Sequence, residues 1–321
     1  MKKMNSVLIT GGSSGIGEAL AVACAQRGVR NIFLCGRDAA RLAAVVKKCE
    51  EVQRQALEDW EIGGLEDSKH PIAQSPAPPL PQSPNHPIHQ SPNLPIPQSP
   101  NPHVEGRVLD VTDEAAVRTW IEECNAVAPL EVVFSNAGIG TGSESEENVR
   151  RTFATNIGGG LNVVLPTIEL FRRNPVAADG TPRRRQIVIT ASIAGYAPLA
   201  TCPSYAATKA AMKSWALSLR GMLKGEGIWV NVICPGFIRS RITDRNTCPM
   251  PFFMEADRAA EIILDRVDRN IGLIAFPWPM RFGVWLLASL PWRLSEFISR
   301  LLPEKTSSGK CKGHEGKEIA F

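Results

Sequence analysis

Tyr205 and Lys209 stand four residues apart, and Ser192 precedes the tyrosine by thirteen. On a helix a spacing of four places two side chains on one face, one turn apart. A free phenol has a pKa of about 10, so roughly 0.1% of it is ionised at neutral pH. An ammonium held beside it favours the phenolate. Lowering the phenol by about three units corresponds to roughly 4 kcal/mol of differential stabilisation. Such a pair can pass a proton to or from a substrate oxygen, and a serine hydroxyl can hydrogen-bond that oxygen. The pair alone is also compatible with an ordinary surface helix; the rest of the chain bears on the choice.

The N-terminal residues Ser6-Val7-Leu8-Ile9-Thr10 read as a short strand that enters Gly11-Gly12-Ser13-Ser14-Gly15-Ile16-Gly17 directly. A helical pattern follows from Glu18. Strand, glycine turn and helix start together make a phosphate cradle, because backbone N–H groups and the helix dipole point at an anion. The spacing is Gly-x-x-x-Gly-x-Gly, not the common Gly-x-Gly-x-x-Gly. Arg37 lies twenty residues after Gly17, at the end of a second strand-like run, with no acid before it. An acid at that distance suits a ribose 2′-hydroxyl, whereas arginine suits a 2′-phosphate, so NADP(H) is favoured over NAD(H). Arg37 also reads as a solvated residue preceding Asp38.

The elements that must hold these groups alternate. Strand-like runs occur near 5–10, 31–35, 104–109, 130–136, 186–191, 229–234 and 271–276, with helical patterns between them. That alternation predicts an α/β fold with a doubly wound, mostly parallel, seven-stranded sheet and helices on both faces. Residues 156–171 read as a helix despite Gly158-Gly159-Gly160, and close packing against another helix would explain the glycines.

With these residues in view the chain resembles the classical short-chain dehydrogenase/reductase family. The matching landmarks are Thr10-Gly11-x-x-x-Gly15-x-Gly17, Asp110-Val111, Asn136-Ala137-Gly138, Asn156, Ser192, Tyr205-Ala206-Ala207-Thr208-Lys209 and Pro235-Gly236, in order. Ser135 departs from the pattern, where the family often has a second asparagine. The resemblance implies a Rossmann-type domain whose cofactor residues are Thr10, Gly11, Ser13, Ser14, Gly15, Ile16, Gly17 and Arg37. Asp110 and Val111 are implied at the adenine, Asn136, Ala137 and Gly138 along the cofactor, and Pro235 and Gly236 beside the nicotinamide. It further implies a catalytic tetrad of Asn156, Ser192, Tyr205 and Lys209, with Lys209 also on the ribose and Asn156 holding a water. The expected activity is an NADP(H)-dependent carbonyl reductase or alcohol dehydrogenase. A regulatory sensor without catalysis is the alternative, and the epimerase branch is disfavoured by the short C-terminal region. A flexible lid is implied over 237–254, and Ile193, Tyr196, Phe237, Phe252 and Phe253 are expected to form an apolar substrate pocket.

Composition sets the bounds. The chain has 321 residues, 44% apolar, with a formal charge of +4. That suffices for one large domain and gives no basic stripe for nucleic acid; Arg183-Arg184-Arg185 reads as a solvated turn. Eight cysteines without a Cys-x-x-Cys pair suit reduced thiols, and with no leader before the first strand they predict a cytoplasmic protein. The five histidines lie far from Ser192 in sequence, which argues against a Ser-His-Asp hydrolase and a histidine metal site. Residues 71–102 hold twelve of the 25 prolines, no charge, and Gln-Ser-Pro repeated every eight residues. Such a segment builds no core and reads as a disordered insertion into a single domain over 1–276. It is either a tolerated expansion or a ligand for proline-binding domains. Residues 277–321 form an extension in which Phe282 to Trp292 is uncharged and flanked by Arg281 and Arg293. Eleven residues are too few to span a bilayer. The region 282–302 reads either as an interfacial helix in peripheral membrane contact or as packing on the domain or on a partner in a homodimer or homotetramer.

Overall fold

The structure, a computed structural model, describes residues 4–66, 102–140, 143–176, 180–244, 249–301, 304–305 and 311–312. The proline-rich insertion expected over 71–102 lies outside the described residues, apart from Pro102.

The first strand, β1 (Ser6–Thr10), is buried at every position. Its side chains alternate between faces: Leu8 joins one apolar cluster, Val7 and Ile9 the other. An uninterrupted apolar strand of this kind requires cover on both faces of the sheet. The remaining strands are β2 (Asn31–Gly36), β3 (His103–Val108), β4 (Val132–Ser135), β5 (Gln186–Thr190), β6 (Trp229–Pro235) and β7 (Leu273–Phe276). They form one seven-stranded sheet in the order β3-β2-β1-β4-β5-β6-β7, with every pairing parallel. The strand order reverses between β1 and β4, where open α/β sheets bind ligands beyond the strands' carboxyl ends.

On one face lie α1 (Gly15–Gln26), α2 (Ala39–Glu66) and α7 (Ala256–Asp268). The other face carries α3 (Glu114–Val127), α4 (Glu146–Phe153), α5 (Gly159–Arg173) and α6 (Pro203–Leu223). After β7 come α8 (Trp278–Ser289) and α9 (Trp292–Leu301), then a short antiparallel pair, β8 (Glu304–Lys305) and β9 (Cys311–Lys312). No helix among the described residues is long and apolar enough to cross a membrane.

Two expectations need correction. The helix read over 156–171 starts at Glu146 and passes through a π-helical turn, Ala154–Gly158, before continuing as α5. Two of its three glycines are steric: a Cβ on Gly159 would lie 2.5 Å from Val111 Cγ2, and one on Gly160 would lie 2.5 Å from Met212 Cε. Gly158 meets nothing. The arginine triplet is not a solvated turn. Arg184 is buried; it donates to Gln186 Oε1 at 2.9 and 2.7 Å and to Asp268 at 3.0 Å. Arg185 donates to the carbonyls of Phe171 (3.0 Å) and Glu226 (2.7 Å). These arginines tie the amino end of β5 to α7 and α5, where buried backbone acceptors need donors.

Candidate active site

β1 hands the chain to the glycine turn at Thr10. The Thr10 hydroxyl donates to Phe134 O (3.2 Å) and accepts from Asn136 N (3.0 Å) and Ala137 N (3.1 Å). Asn136 Nδ2 returns a bond to Thr10 O at 3.0 Å. The ends of β1 and β4 are thus locked together at the topological switch. Gly11 (φ 68°) and Gly15 (φ 59°) occupy the left-handed region, where a Cβ is strained. Gly17 is packed so closely that a Cβ would sit 2.2 Å from Gly11 O. Ser14 caps α1 with no side-chain hydrogen bond, so its hydroxyl does not occupy the N–H groups of the helix start. Ile16 packs on the core, and Ser13 occupies the space a Cβ on Gly36 would fill. A cradle closed to side chains at a helix N-terminus fits the phosphates of a nicotinamide dinucleotide.

At the other end of the crevice the structure brings Arg37 and Asp110 together, with Nη1 to Oδ2 at 3.6 Å, the arginine exposed and the aspartate half-buried. Asp110 also accepts from Thr112 N (3.0 Å) and Oγ1 (2.9 Å). Partial burial raises its pKa, but the Thr112 hydrogen bonds and Arg37 outweigh this and hold the carboxyl below its ordinary value. Val111 is buried against Gly159.

The four expected catalytic residues converge beyond β4, β5 and β6. Ser192 opens a 3-10 turn, Ile193–Gly195, accepts from Ala194 N (3.1 Å) and lies 3.5 Å from Pro235 O. Its hydroxyl lies close enough to the Tyr205 phenol to pull the phenol's pKa down. Lys209, buried one turn along α6, donates from Nζ to Thr190 O at 2.9 Å and lies 5.7 Å from the centre of the Tyr205 ring. Asn156 sits in the π turn, where it donates to Ile139 O (3.0 Å) and Thr208 Oγ1 (3.1 Å) and accepts from Ile139 N (2.8 Å). Gly138 separates Asn156 from the lysine: a Cβ there would be 3.1 Å from Lys209 Nζ and 3.2 Å from Asn156 Oδ1. π turns recur where a side chain must be re-aimed.

Electrostatics amend the simplest sequence argument. In this geometry burial raises the Tyr205 pKa to about 12, with the Ser192 hydrogen bond pulling the other way. Burial lowers Lys209 to about 8. The ammonium faces the Thr190 carbonyl, and its expected lowering of the phenol pKa is not set up by these two side chains alone.

The expected substrate residues divide. Ile193 is buried with Cδ1 3.3 Å from the position of a Cβ on Gly236, and Pro277 and Met280 close the other side of that glycine. Phe237 begins the lid and accepts from Met254 N at 3.0 Å; Arg239 N donates back to Met254 O at 2.9 Å. Phe253 lies under the Arg239 guanidinium, 5.3 Å from its carbon, and Phe252 is 57% exposed. Tyr196 carries Lys213 Nζ 3.8 Å over its ring. Its buried hydroxyl lies near Cys234 and Arg281 without a hydrogen bond of ordinary geometry, and burial raises its pKa to about 12. Phe252 is therefore turned largely to solvent, whereas Tyr196 packs against the same apolar cluster as Ile193.

Residues beyond those expected complete the site. Ile242 reaches from the lid to Gly140, where a Cβ would be 3.3 Å from Ile242 Cγ2 and 3.7 Å from Tyr205 Cδ2. Glu144 accepts from Ser204 N (3.2 Å) and Ser204 Oγ (2.8 Å), capping the helix that carries Tyr205. An apolar residue in a span read as lid was the available signal for Ile242. Glu144 had none, since its partner is 60 residues away.

Comparison with known proteins agrees with this geometry. The sequence pattern of the short chain dehydrogenase family matches residues 5–59 and 96–248, skipping most of the proline-rich region. An uncharacterized oxidoreductase of Myxococcus xanthus is 30% identical over 305 residues, covering 92% of this chain and 97% of the relative. Among solved structures, a short-chain dehydrogenase from Sphingobium yanoikuyae in complex with NADPH superposes with a TM-score of 0.63 at 23% identity, covering 90% and 97% of the two chains. A bulky-bulky ketone specific alcohol dehydrogenase from Comamonas testosteroni gives 0.61 at 20%, covering 92% of each. With its parallel sheet, its glycine cradle and these matches, the chain belongs to the short chain dehydrogenase family and is an NAD(P)-dependent oxidoreductase.

Proposed function

We propose that the protein interconverts a lipophilic ketone or aldehyde and its alcohol, using NADP(H) in preference to NAD(H). The observation that supports this reading is the convergence of Ser192 and Tyr205, with buried Lys209 one turn on and Asn156 across Gly138. In the reducing direction the Tyr205 hydroxyl donates a proton to the carbonyl oxygen, and the Ser192 hydroxyl hydrogen-bonds that oxygen as charge develops on it. Lys209 would hold the ribose hydroxyls of the bound cofactor, and Asn156 would keep a water that joins Lys209 to solvent. The bound nicotinamide supplies the hydride; the protein supplies orientation and electrostatics. Gly11 to Gly17 hold the pyrophosphate, Asn136 to Gly138 line the cofactor, and Pro235 and Gly236 flank the nicotinamide. Arg37 supports the NADP(H) preference, because a 2′-phosphate is a stronger partner for an exposed guanidinium than Asp110. Ile193, Phe237, Phe253 and Ile242 offer apolar surface to the substrate.

Cytoplasmic residence and assembly into a homodimer or homotetramer belong to the same proposal. Cys24, Cys35, Cys49, Cys124, Cys202 and Cys234 are free, which supports a reducing compartment. NADPH and NADH oxidation against a panel of ketones, aldehydes and charged sugars tests the reading. Turnover of apolar carbonyls with NADPH is expected, and Arg37→Asp should flatten or reverse the cofactor preference. Equal kcat/KM for the two cofactors would sink the NADP(H) assignment, and turnover of charged sugars alone would sink the pocket.

A further inference from the structure

The last two helices carry an apolar face that the domain does not cover. Of seventeen exposed large apolar residues among those described, seven lie between Trp278 and Phe297. Trp278 is 77% exposed and Trp292 69%, with Phe282, Trp285 and Phe297 all above half. Within α8 only Leu287 is buried.

α9 shows that this exposure is built in. Its small polar residues, Ser295 and Ser299, face the protein and are buried, while Leu294 and Phe297 face outward. Ser299 Oγ accepts from Ala200 N at 3.0 Å and lies 3.5 Å from Pro198 O. An amphipathic helix normally presents the opposite face to a core. Here hydrogen bonding on the inner side fixes the helix with its apolar stripe outward, so the stripe serves an external apolar phase. An apolar patch of this extent marks an interaction site.

Charge identifies the phase. From Arg269 to Ser295 there is no acidic residue, and Arg269, Arg281 and Arg293 are all exposed. The one acid of the two helices, Glu296, is half-buried and already engaged. A two-fold contact would lay this face on itself and set arginine against arginine without free acids to pair them. The sequence beyond Leu301 offers only Leu302, Ile319 and Phe321 as large apolar residues, a poor match for the face. Tryptophans and arginines together are the composition of a helix lying at a lipid headgroup boundary.

We infer that α8 and α9 form an interfacial docking surface for anionic lipid bilayers. α8 starts beside the active-site wall, since Pro277 and Met280 pack on Gly236. Docking therefore sets the wall of the cleft close to the membrane and makes a bilayer-dissolved carbonyl the natural substrate. That last point rests on the proposed reductase reading; the docking itself does not.

The test is sedimentation of the full chain with vesicles of phosphatidylcholine alone and of phosphatidylcholine mixed with phosphatidylglycerol. The chain should sediment with the mixed vesicles, weakly with the neutral ones, and be released by salt. Replacing Phe282, Trp285 and Phe297 together with serine should abolish binding while NADPH affinity persists. Arg293→Gln should lower affinity for the anionic vesicles about fivefold, the effect of roughly 1 kcal/mol per basic residue near such a surface. If the triple variant loses NADPH binding, Arg293→Gln and salt release decide the matter. Absence of vesicle binding by the intact chain overturns the inference, as does undiminished binding by the triple variant. So does an oligomer that dissociates in the triple variant while no vesicles bind, because the face would then be covered by a second copy. Catalysis is not read in this experiment, so failure here leaves the reductase reading standing.

Discussion

α6 and α9 both turn polar side chains inward, and they do so to opposite ends. α6 buries Ser204, Thr208 and Lys209, and each is engaged: Ser204 by Glu144, Thr208 by Asn156 and the Tyr205 carbonyl, Lys209 by Thr190 O. The buried cation is costly, as its lowered pKa shows. α9 buries two serines whose hydroxyls are small and neutral, and the consequence lies on the outer side, where the large apolar residues remain. Inward polarity in α6 prepares chemistry. In α9 it orients a surface. Buried polar residues on a helix thus mark organisation around something other than the core, and charge separates the two cases.

Three substitutions sharpen or break this contrast. The largest effect is expected from Tyr205→Phe, which keeps the ring and removes the proton donor. It should lower kcat by about 10² to 10⁴ with NADPH affinity preserved. Wild-type turnover in that variant would end the view of α6 as the chemical helix. Next is Lys209→Met, read by urea midpoints across pH. The folded pKa of Lys209 is about 8 against an ordinary 10.5, so between those values the folded chain binds fewer protons than the unfolded one. Its contribution to the unfolding free energy therefore rises with pH over that window and is absent below it. Tyr205, raised to about 12 from 10, acts oppositely above pH 10, and the buried cysteines, raised from 9, do so above pH 9, which leaves the range from about 8 to 9 for the comparison. Lys209→Met should remove the rise; an unchanged slope would mean that the lysine is not buried as a costly cation. The smallest effect belongs to Ser299→Ala. Loss of its bond to Ala200 N should cost about 1 kcal/mol, seen as a modest fall in Tm. No change in stability or in vesicle binding would show that the serine does not orient α9.

Much of the frame was legible because its signals are local. Six of the seven strands carry a short apolar run, β3 being the exception, and the cradle, Asn156, Ser192, Tyr205 and Lys209 sit in spaced motifs. What escaped depended on partners distant in the chain. Arg184 looked like part of a solvated triplet, yet Asp268 and Gln186 hold it in the interior. Glu144 is an acid in a polar stretch until the fold lays Ser204 against it. The segment from Phe282 to Trp292 was readable as apolar, but not that Leu290 and Pro291 divide it between two helices. Nor could periodicity say which face of α9 turns outward, since that depends on the Ala200 amide. The phenol–ammonium relation was also only half legible: spacing places the two residues on one face, whereas the Thr190 carbonyl decides where the ammonium points.

The register of the outer strands has a practical consequence for building on this protein. His103 pairs with Asn31, so β3 begins level with the start of β2, at the amino ends of the strands. The glycine cradle and Tyr205 lie beyond the carboxyl ends of the sheet. Everything between α2 and β3 is therefore attached at the opposite rim from the chemistry. A fluorescent module or affinity handle spliced there would be anchored at the rim away from the cofactor crevice.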